Sequence, residues 1–194
     1  MQKKEEADCE NFVNAKNYQG QFENDKMHGK GQIEYIDKGF YQGDFQYDQK
    51  HGKGSYANYN KTITYNGEYQ KDKKNGFGCL TLKNTESFYI GNFLDNKRHG
   101  HGMIVYGNGC KYTGNWTDDC ISGTSKYFYN DGSTLSGNFS DNKPNGFCKF
   151  VKLDRVTFQG IYKNGHRQDG IWSYPDGTTW AGKLVKGRKQ GKGI

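Results

Sequence analysis

Apolar residues are scarce in this chain of 194 residues, making up 32% of it, against roughly 45 to 50% in a packed domain. That shortage excludes an ordinary two-layer core and raises disorder as the first alternative. Proline is nearly absent, with 2 residues beside 28 glycines, so turns must be specified by glycine. No stretch approaches the ~20 consecutive apolar residues of a membrane-spanning helix. The opening "MQKKEEADCE" lacks the apolar run of a signal peptide, and the chain is expected to be soluble and cytoplasmic. Cys9, Cys79, Cys110, Cys120 and Cys148 are odd in number and contain no C-x-x-C spacing. They give neither a disulfide framework nor a zinc signature. Also missing are a G-x-S-x-G elbow, a P-loop and the kinase motifs, and carboxylates such as Asp72, Asp95 and Asp141 stand among turn residues instead of in facing pairs. Catalysis and a cofactor are therefore not expected.

What the chain does have is rings: 15 Tyr, 12 Phe and 3 Trp, too many for a solvated coil. They are organised. The stretch "YQGQFENDKMHGKG" at 18–31 is nearly copied by "YQGDFQYDQKHGKG" at 41–54, and the pattern restarts near 18, 41, 65, 89, 112, 135, 158 and 180. A fixed period of 22 to 24 residues is the mark of a repeat array. Residues 1–17 form a polar segment outside it, and the array covers 18–194.

Each copy opens with aromatic-x-Gly-x-aromatic, as in Tyr65, Gly67 and Tyr69, which at period two puts all three on one strand face. Gly-x-Gly-x-apolar-x-aromatic follows, as in Gly29, Gly31, Ile33 and Tyr35, and is a second strand with the same facial bias. Asn, Asp, Lys and Gly between them are turn formers. Every copy is thus a β-hairpin, and glycine opposite a ring lets the ring lie flat on neighbouring backbone. A lone hairpin is marginal in water, so the hairpins must stack. The expected fold is all-β: an elongated single-layer antiparallel ribbon of about 75 Å at ~4.8 Å per strand.

Tyr18, Gly20, Phe22, His28, Gly29 and Gly31, with their copies, make the chain closely resemble the MORN repeats (membrane occupation and recognition nexus), over about 18–194. Ser122 departs from the pattern at the His position, Ser125, Cys148 and Trp172 at the second Gly, and Leu135 and Leu184 at ring positions. The seventh copy reads as having one extra residue before Gly170. Local bulges or shifted packing are expected at these departures.

His28, His51 and His99 share one repeat position, where successive copies should lie ~10 Å apart, too far to share a metal ion. They read as turn residues. Gly52, Gly54 and Ala57 fit G-x-G-x-x-A, but no helix follows to bind a nucleotide phosphate.

Two surfaces remain. Cations recur four or five residues after the second aromatic, as Lys26, Lys50, Lys74, Lys97, Lys143, Arg167 and Lys189. They are expected to form a positive row along one edge, suited to acidic lipid or an acidic protein. On the face opposite the rings, the first two copies are polar. Later copies carry Phe77, Ile90, Met103, Val105, Phe128, Phe147, Val151, Ile161 and Ile171, a candidate partner face. The terminal "GKGI" is expected to leave an edge strand open to docking or homodimerisation. Nucleic acid is not expected, because no Lys/Arg cluster is interleaved with exposed rings.

The resemblance implies a non-enzymatic scaffold. Its members include radial spoke head proteins of ciliary axonemes, cytoskeletal scaffolds, junctional membrane proteins and targeting modules fused to enzymes. The expected role is a structural protein of a cytoskeletal, microtubule-based assembly in a cilium or flagellum, holding partners by its aromatic groove, outer face and free edge. A peripheral adaptor on anionic phospholipid, or the targeting module of a larger enzyme, are the alternatives.

Overall fold

The computed structural model describes residues 15–36, 39–185 and 188–190. Among them, strands pair as eight hairpins: Ala15–Glu23 with Lys26–Tyr35, Gly39–Gln46 with Gln49–Ala57, Ile63–Gln70 with Lys73–Leu82, and Ser87–Leu94 with Lys97–Val105. Lys111–Thr117 with Cys120–Phe128, Thr134–Ser140 with Lys143–Val151, Thr157–Lys163 with His166–Ser173, and Thr179–Val185 with Arg188–Gln190 complete the series. All sixteen strands join in chain order in one open antiparallel sheet, the single-layer ribbon that the periodicity calls for. The segments 1–14 and 191–194, with the expected C-terminal edge, lie outside the described residues.

Local chemistry explains the hairpins. In the seven hairpins whose turns are described, both central turn residues take positive φ, as in Asn24 (50°) and Asp25 (61°) or Asp118 (48°) and Asp119 (67°). This is the I′ geometry whose twist matches paired strands, and Asn and Asp tolerate it well. The looser connections between hairpins are closed by Asn108, Asp131, Asp154 and Asp176. Their carboxyl or amide oxygens accept the N–H two residues on, at 2.8 to 3.1 Å.

The two glycines of each motif have different reasons to be glycine. The first bends the chain: Gly29, Gly52, Gly76, Gly100, Gly123 and Gly146 all have φ between 61° and 98°. The second seats a ring, since a Cβ at Gly54 would lie 2.3 Å from the Tyr41 hydroxyl. The bend accompanies a register shift inside each of these six hairpins, such as Gly67 with Gly78 followed by Tyr69 with Lys74, and the seventh keeps a smaller shift without it. Bulges are therefore the rule of the repeat and not confined to its departures, the first glycine adding an unpaired residue wherever it is present. The histidines stand just before that bend, three residues into the second strand, not in the turn itself.

The seventh hairpin corrects the expectation of an extra residue. Gly160 pairs with Gly170 and Phe158 with Trp172, so Gly170 is the ring-seating glycine and Trp172 is an ordinary second-strand aromatic. The missing member is the bending glycine, and its loss shortens the bulge by one residue.

The core is one residue thick. Tyr41, Tyr65, Tyr89 and Tyr112 are buried, and each donates its hydroxyl to the carbonyl three residues on, at 2.7 to 3.0 Å. Each stacks edge-on against the second ring of its own hairpin and of the next. The contacts run unbroken from Tyr18 through Phe45, Tyr41, Tyr69, Tyr65, Phe93, Tyr89, Trp116 and Tyr112 to Phe139, with centroids 5.1 to 6.2 Å apart. Such edge-to-face pairs contribute about 0.5 to 1.5 kcal/mol each beyond area burial. The ladder ends at Leu135, which has no ring to offer Tyr162.

Candidate functional site

The ring face is the more structured of the two surfaces. Along one margin run the half-buried second-strand aromatics, Tyr35, Tyr56, Tyr106, Tyr127, Phe150 and Trp172 among them. Along the other run turns that stitch repeat to repeat. Met27 N–H donates to Asp48 Oδ1 at 2.7 Å, Lys50 N–H to Asp72 Oδ1 at 2.9 Å, and Lys74 N–H to Asn96 Oδ1 at 2.9 Å. Arg98 N–H to Asp119 at 3.0 Å and Ile121 N–H to Asn142 at 2.8 Å continue the series. It stops at Pro144, which has no N–H, opposite Gly165, which has no side chain. Only the backbone bond from Gly165 N–H to Pro144 O, 2.9 Å, persists there.

The cation row divides between two faces. Lys26, Lys97 and Lys143 directly follow their turns, opposite Glu23, Leu94 and Ser140, and are exposed. Lys50, Lys74, Arg167 and Lys189 come one residue later, and period two turns them onto the ring face. A count of "four or five" residues merges two opposite faces. On the ring face the cations lie over rings: Lys50 Nζ is 5.2 Å from the Tyr35 centroid, Lys74 Nζ 5.3 Å from Tyr65, and Lys189 Nζ 5.1 Å from Trp180. Met27 and Ile121 fill the same position as buried apolar residues. Arg98, which the row passes over for Lys97, lies 4.3 Å over Trp116. Parity counted from the second aromatic finds it.

Charge is balanced unevenly along this face. Arg98 Nε is 2.8 Å from Asp119 Oδ1. Burial pushes that carboxyl up, but its bonds from the Arg98 side chain and backbone outweigh this and hold it below the ordinary carboxylate value. Burial pushes the Lys74 ammonium down, with Asp119 opposing. Arg167 has no carboxylate within ion-pair distance among the described residues. Its guanidinium carbon lies 4.6 Å from the Phe150 ring, 4.8 Å from Trp172, 5.3 Å from Phe158 and 5.9 Å from Tyr162, whose hydroxyl accepts its Nε–H at 2.9 Å.

Beside Arg167 opens a cavity of about 410 Å³ between the sixth, seventh and eighth repeats. It stands where the ring ladder and the side-chain stitching lapse and the bulge is shortened by one residue. Leu135 sets one wall. Its partner Cys148, buried, occupies the place of a ring-seating glycine and sends its Sγ–H to Asn138 O at 3.3 Å. The fifth repeat reaches a different compromise: Ser125 replaces the glycine and bonds the Tyr112 hydroxyl at 2.6 Å.

The outer face carries all nine apolar residues expected there, most of them in two islands. Cys79, Ile90 and Met103 are neighbours across strands, with Phe88 beside Val105. Phe88 is absent from the expected set, though its place directly before the ring Tyr89 puts it on this face. Phe147 pairs with Ile161, and both are about half exposed; Ile171 lies on the strand beyond Ile161, and Val151 four residues along the strand of Phe147. Between the islands runs a polar belt, Thr113, Lys126, Ser136, Lys149 and Gln159, and Lys111 and Lys126 cover Phe128 at 5.2 and 4.9 Å. Phe77 stands apart, paired with Asn92.

The family model for the MORN repeat matches residues 18–40, 41–62, 65–85, 89–111 and 136–152, together more than half of the chain. The chain belongs to the MORN repeat family. The MORN copies left unmatched, the fifth, seventh and eighth, fold into the same paired hairpins, so structure extends the array beyond the recognisable motif. MORN repeats are typically non-catalytic interaction modules, and no catalytic domain is identified beside them. No curated protein matches the chain. A solved structure from Drosophila melanogaster, the SAS-4 (dCPAP) TCP domain in complex with a proline-rich motif of Ana2 (dSTIL), shares its fold. The two align with a TM-score of 0.51 and 13% identity, over 80% of this chain and 84% of that one.

Proposed function

We propose that this MORN chain is a non-catalytic scaffold of a microtubule-based assembly, the axoneme of a cilium or flagellum, in the manner of radial spoke head proteins. Its ring face receives an extended segment of a partner. The supporting observation is the open ring face itself: a continuous aromatic floor topped by cations, with no second layer of this chain over it among the described residues. The likeness to a sheet solved with a proline-rich motif lends the same mode of use. The two outer islands are secondary contacts for neighbouring proteins of the assembly. A peripheral membrane role has less support, since the cations expected to form one charged edge are divided between faces.

Affinity capture of the full chain from its native cell, with mass spectrometry of the captured proteins, tests this. Axonemal or other microtubule-associated partners are expected, and their loss on Val105→Asp with Val151→Asp would assign the outer face a share. Capture of none, together with sedimentation on anionic vesicles at physiological salt, would refute the scaffold in favour of the membrane.

A further inference from the structure

We infer that the cavity at the sixth and seventh repeats is the point where an acidic side chain of an extended, proline-rich partner segment is anchored on the ring face. This rests on the scaffold reading above and adds to it a place and a chemistry. Three observations converge.

The first is unbalanced charge. Arg98 and Arg167 hold the same position in their repeats, yet Arg98 has Asp119 from the next turn. In the eighth copy the residue at the Asp119 position is Gly187, which has no carboxylate to give. Arg167 is held flat among four rings by its Nε–H bond to Tyr162, so its remaining N–H groups are free to make a forked pair with a carboxylate.

The second is the character of the wall. Tyr129, Tyr162, His166, Arg167 and Trp172 bring donors to the cavity, and no Asp or Glu among the described residues lines it. Trp172 Nε1 is buried and has no acceptor among the described residues. A polyproline II segment, which has carbonyl acceptors at every residue and few N–H groups of its own, satisfies such a wall, and aromatic grooves are its usual seat.

The third is spacing. Two strands per repeat advance the ribbon by roughly 9.6 Å. One polyproline II turn of three residues advances roughly 9.3 Å. A segment crossing the strands along the ring face therefore presents every third residue to the same repeat position. An acidic residue seated at Arg167 is followed by residues meeting Lys189 in one direction and Pro144 in the other.

The test is titration of the full chain with acetyl-(Glu-Pro-Pro)4-amide and with its Lys-Pro-Pro counterpart, followed by Trp fluorescence and calorimetry. Two variants accompany the natural chain. Arg167→Gln removes the charge, and Leu135→Tyr with Cys148→Gly restores the regular ring and its seat, closing the cavity while keeping the repeat consensus. The Glu peptide is expected to bind at least tenfold more tightly than the Lys peptide. Each variant is expected to weaken it at least tenfold with circular dichroism and Tm retained. Equal affinity for the two peptides, no binding, or binding indifferent to both variants overturns the inference. So does anionic-vesicle binding that depends on Arg167 in the absence of peptide binding. If native partners are still captured while the peptide results are negative, the scaffold stands and only this site falls.

Discussion

Transplanting the sixth repeat's compromise into the second tests the rule that a ring and its glycine are one unit. In the regular repeat, a Cβ at Gly54 would lie 2.3 to 2.5 Å from three atoms of the Tyr41 ring, so Gly54→Cys must lift the ring by about 1 Å. Overpacking of this kind costs ~1 to 3 kcal/mol, and the lifted ring also loses register with Phe45 and Tyr69, each 5.2 Å away. Tyr41→Leu forfeits the bond from its hydroxyl to Asp44 O, 3.0 Å, and two edge contacts, about 3 kcal/mol together. In the double variant the Leu leaves room for the thiol, as Leu135 does for Cys148. The pair should then cost about 3 kcal/mol in place of the sum of the single changes, a coupling of about 2 kcal/mol or more. Hydrogen exchange of the amides in Gly39–Gln46 and Gln49–Ala57 reads this locally, which matters because a repeat array need not unfold as one unit. Additivity within ~0.5 kcal/mol would refute the reasoning.

Three further outcomes are expected. Because the Asp119 carboxyl is held below its ordinary value, its contribution is present at neutral pH and is lost as pH falls below about 4. Asp119→Asn should keep the backbone cap but flatten the acid limb of a plot of Tm against pH. At the other extreme, burial raises the pKa values of Tyr41, Tyr65 and Tyr69, and that of Tyr89 to about 12. The stability they lend is complete below about pH 10 and drains above it, so absorbance at ~295 nm should show these rings ionising together with unfolding instead of at the value of free tyrosine. Gly165→Asn alone should change little, because Pro144 offers no N–H. Combined with Pro144→Ala it should restore the missing stitch and stabilise the chain by about 1 kcal/mol in thermal unfolding; equal effects of the single and double variants would count against it.

The rings and glycines are legible in the sequence because period two acts identically in every copy, so an error in one hairpin is corrected by the other seven. Leu135 and Cys148 are visible there too, as isolated departures. What no linear scan shows is that one stands at the ring position and the other at the seat of that ring, since they belong to different strands. The cation row fails for a simpler reason: a tolerance of one residue is harmless in a loop and fatal in a strand, where it reverses the face. Arg98 is lost to Lys97 that way. The seventh repeat is easily misread because a deleted glycine and an added residue look alike until register identifies which glycine carries the ring. The cavity depends on three such departures meeting in space, so neighbouring repeats, not the motif, define it.

The turn stitching has a direction. Met27, Lys50, Lys74, Arg98 and Ile121 each have their backbone N–H completed by a side chain from the following repeat, about 21 to 22 residues later in the chain. The side-chain bond of each stitch thus comes from the successor, while a backbone bond runs the other way: the successor's turn N–H donates to the carbonyl of the same residue, as Asp48 N–H to Met27 O and Asp72 N–H to Lys50 O, both at 3.0 Å. Among these repeats, removing one from the C-terminal side leaves the N–H and carbonyl of a strand residue without their partners, whereas removing one from the N-terminal side leaves a turn N–H and a side-chain oxygen without theirs. A ribbon that looks alike from both ends therefore offers different chemistry at each: strand backbone at one, a turn and its side chain at the other.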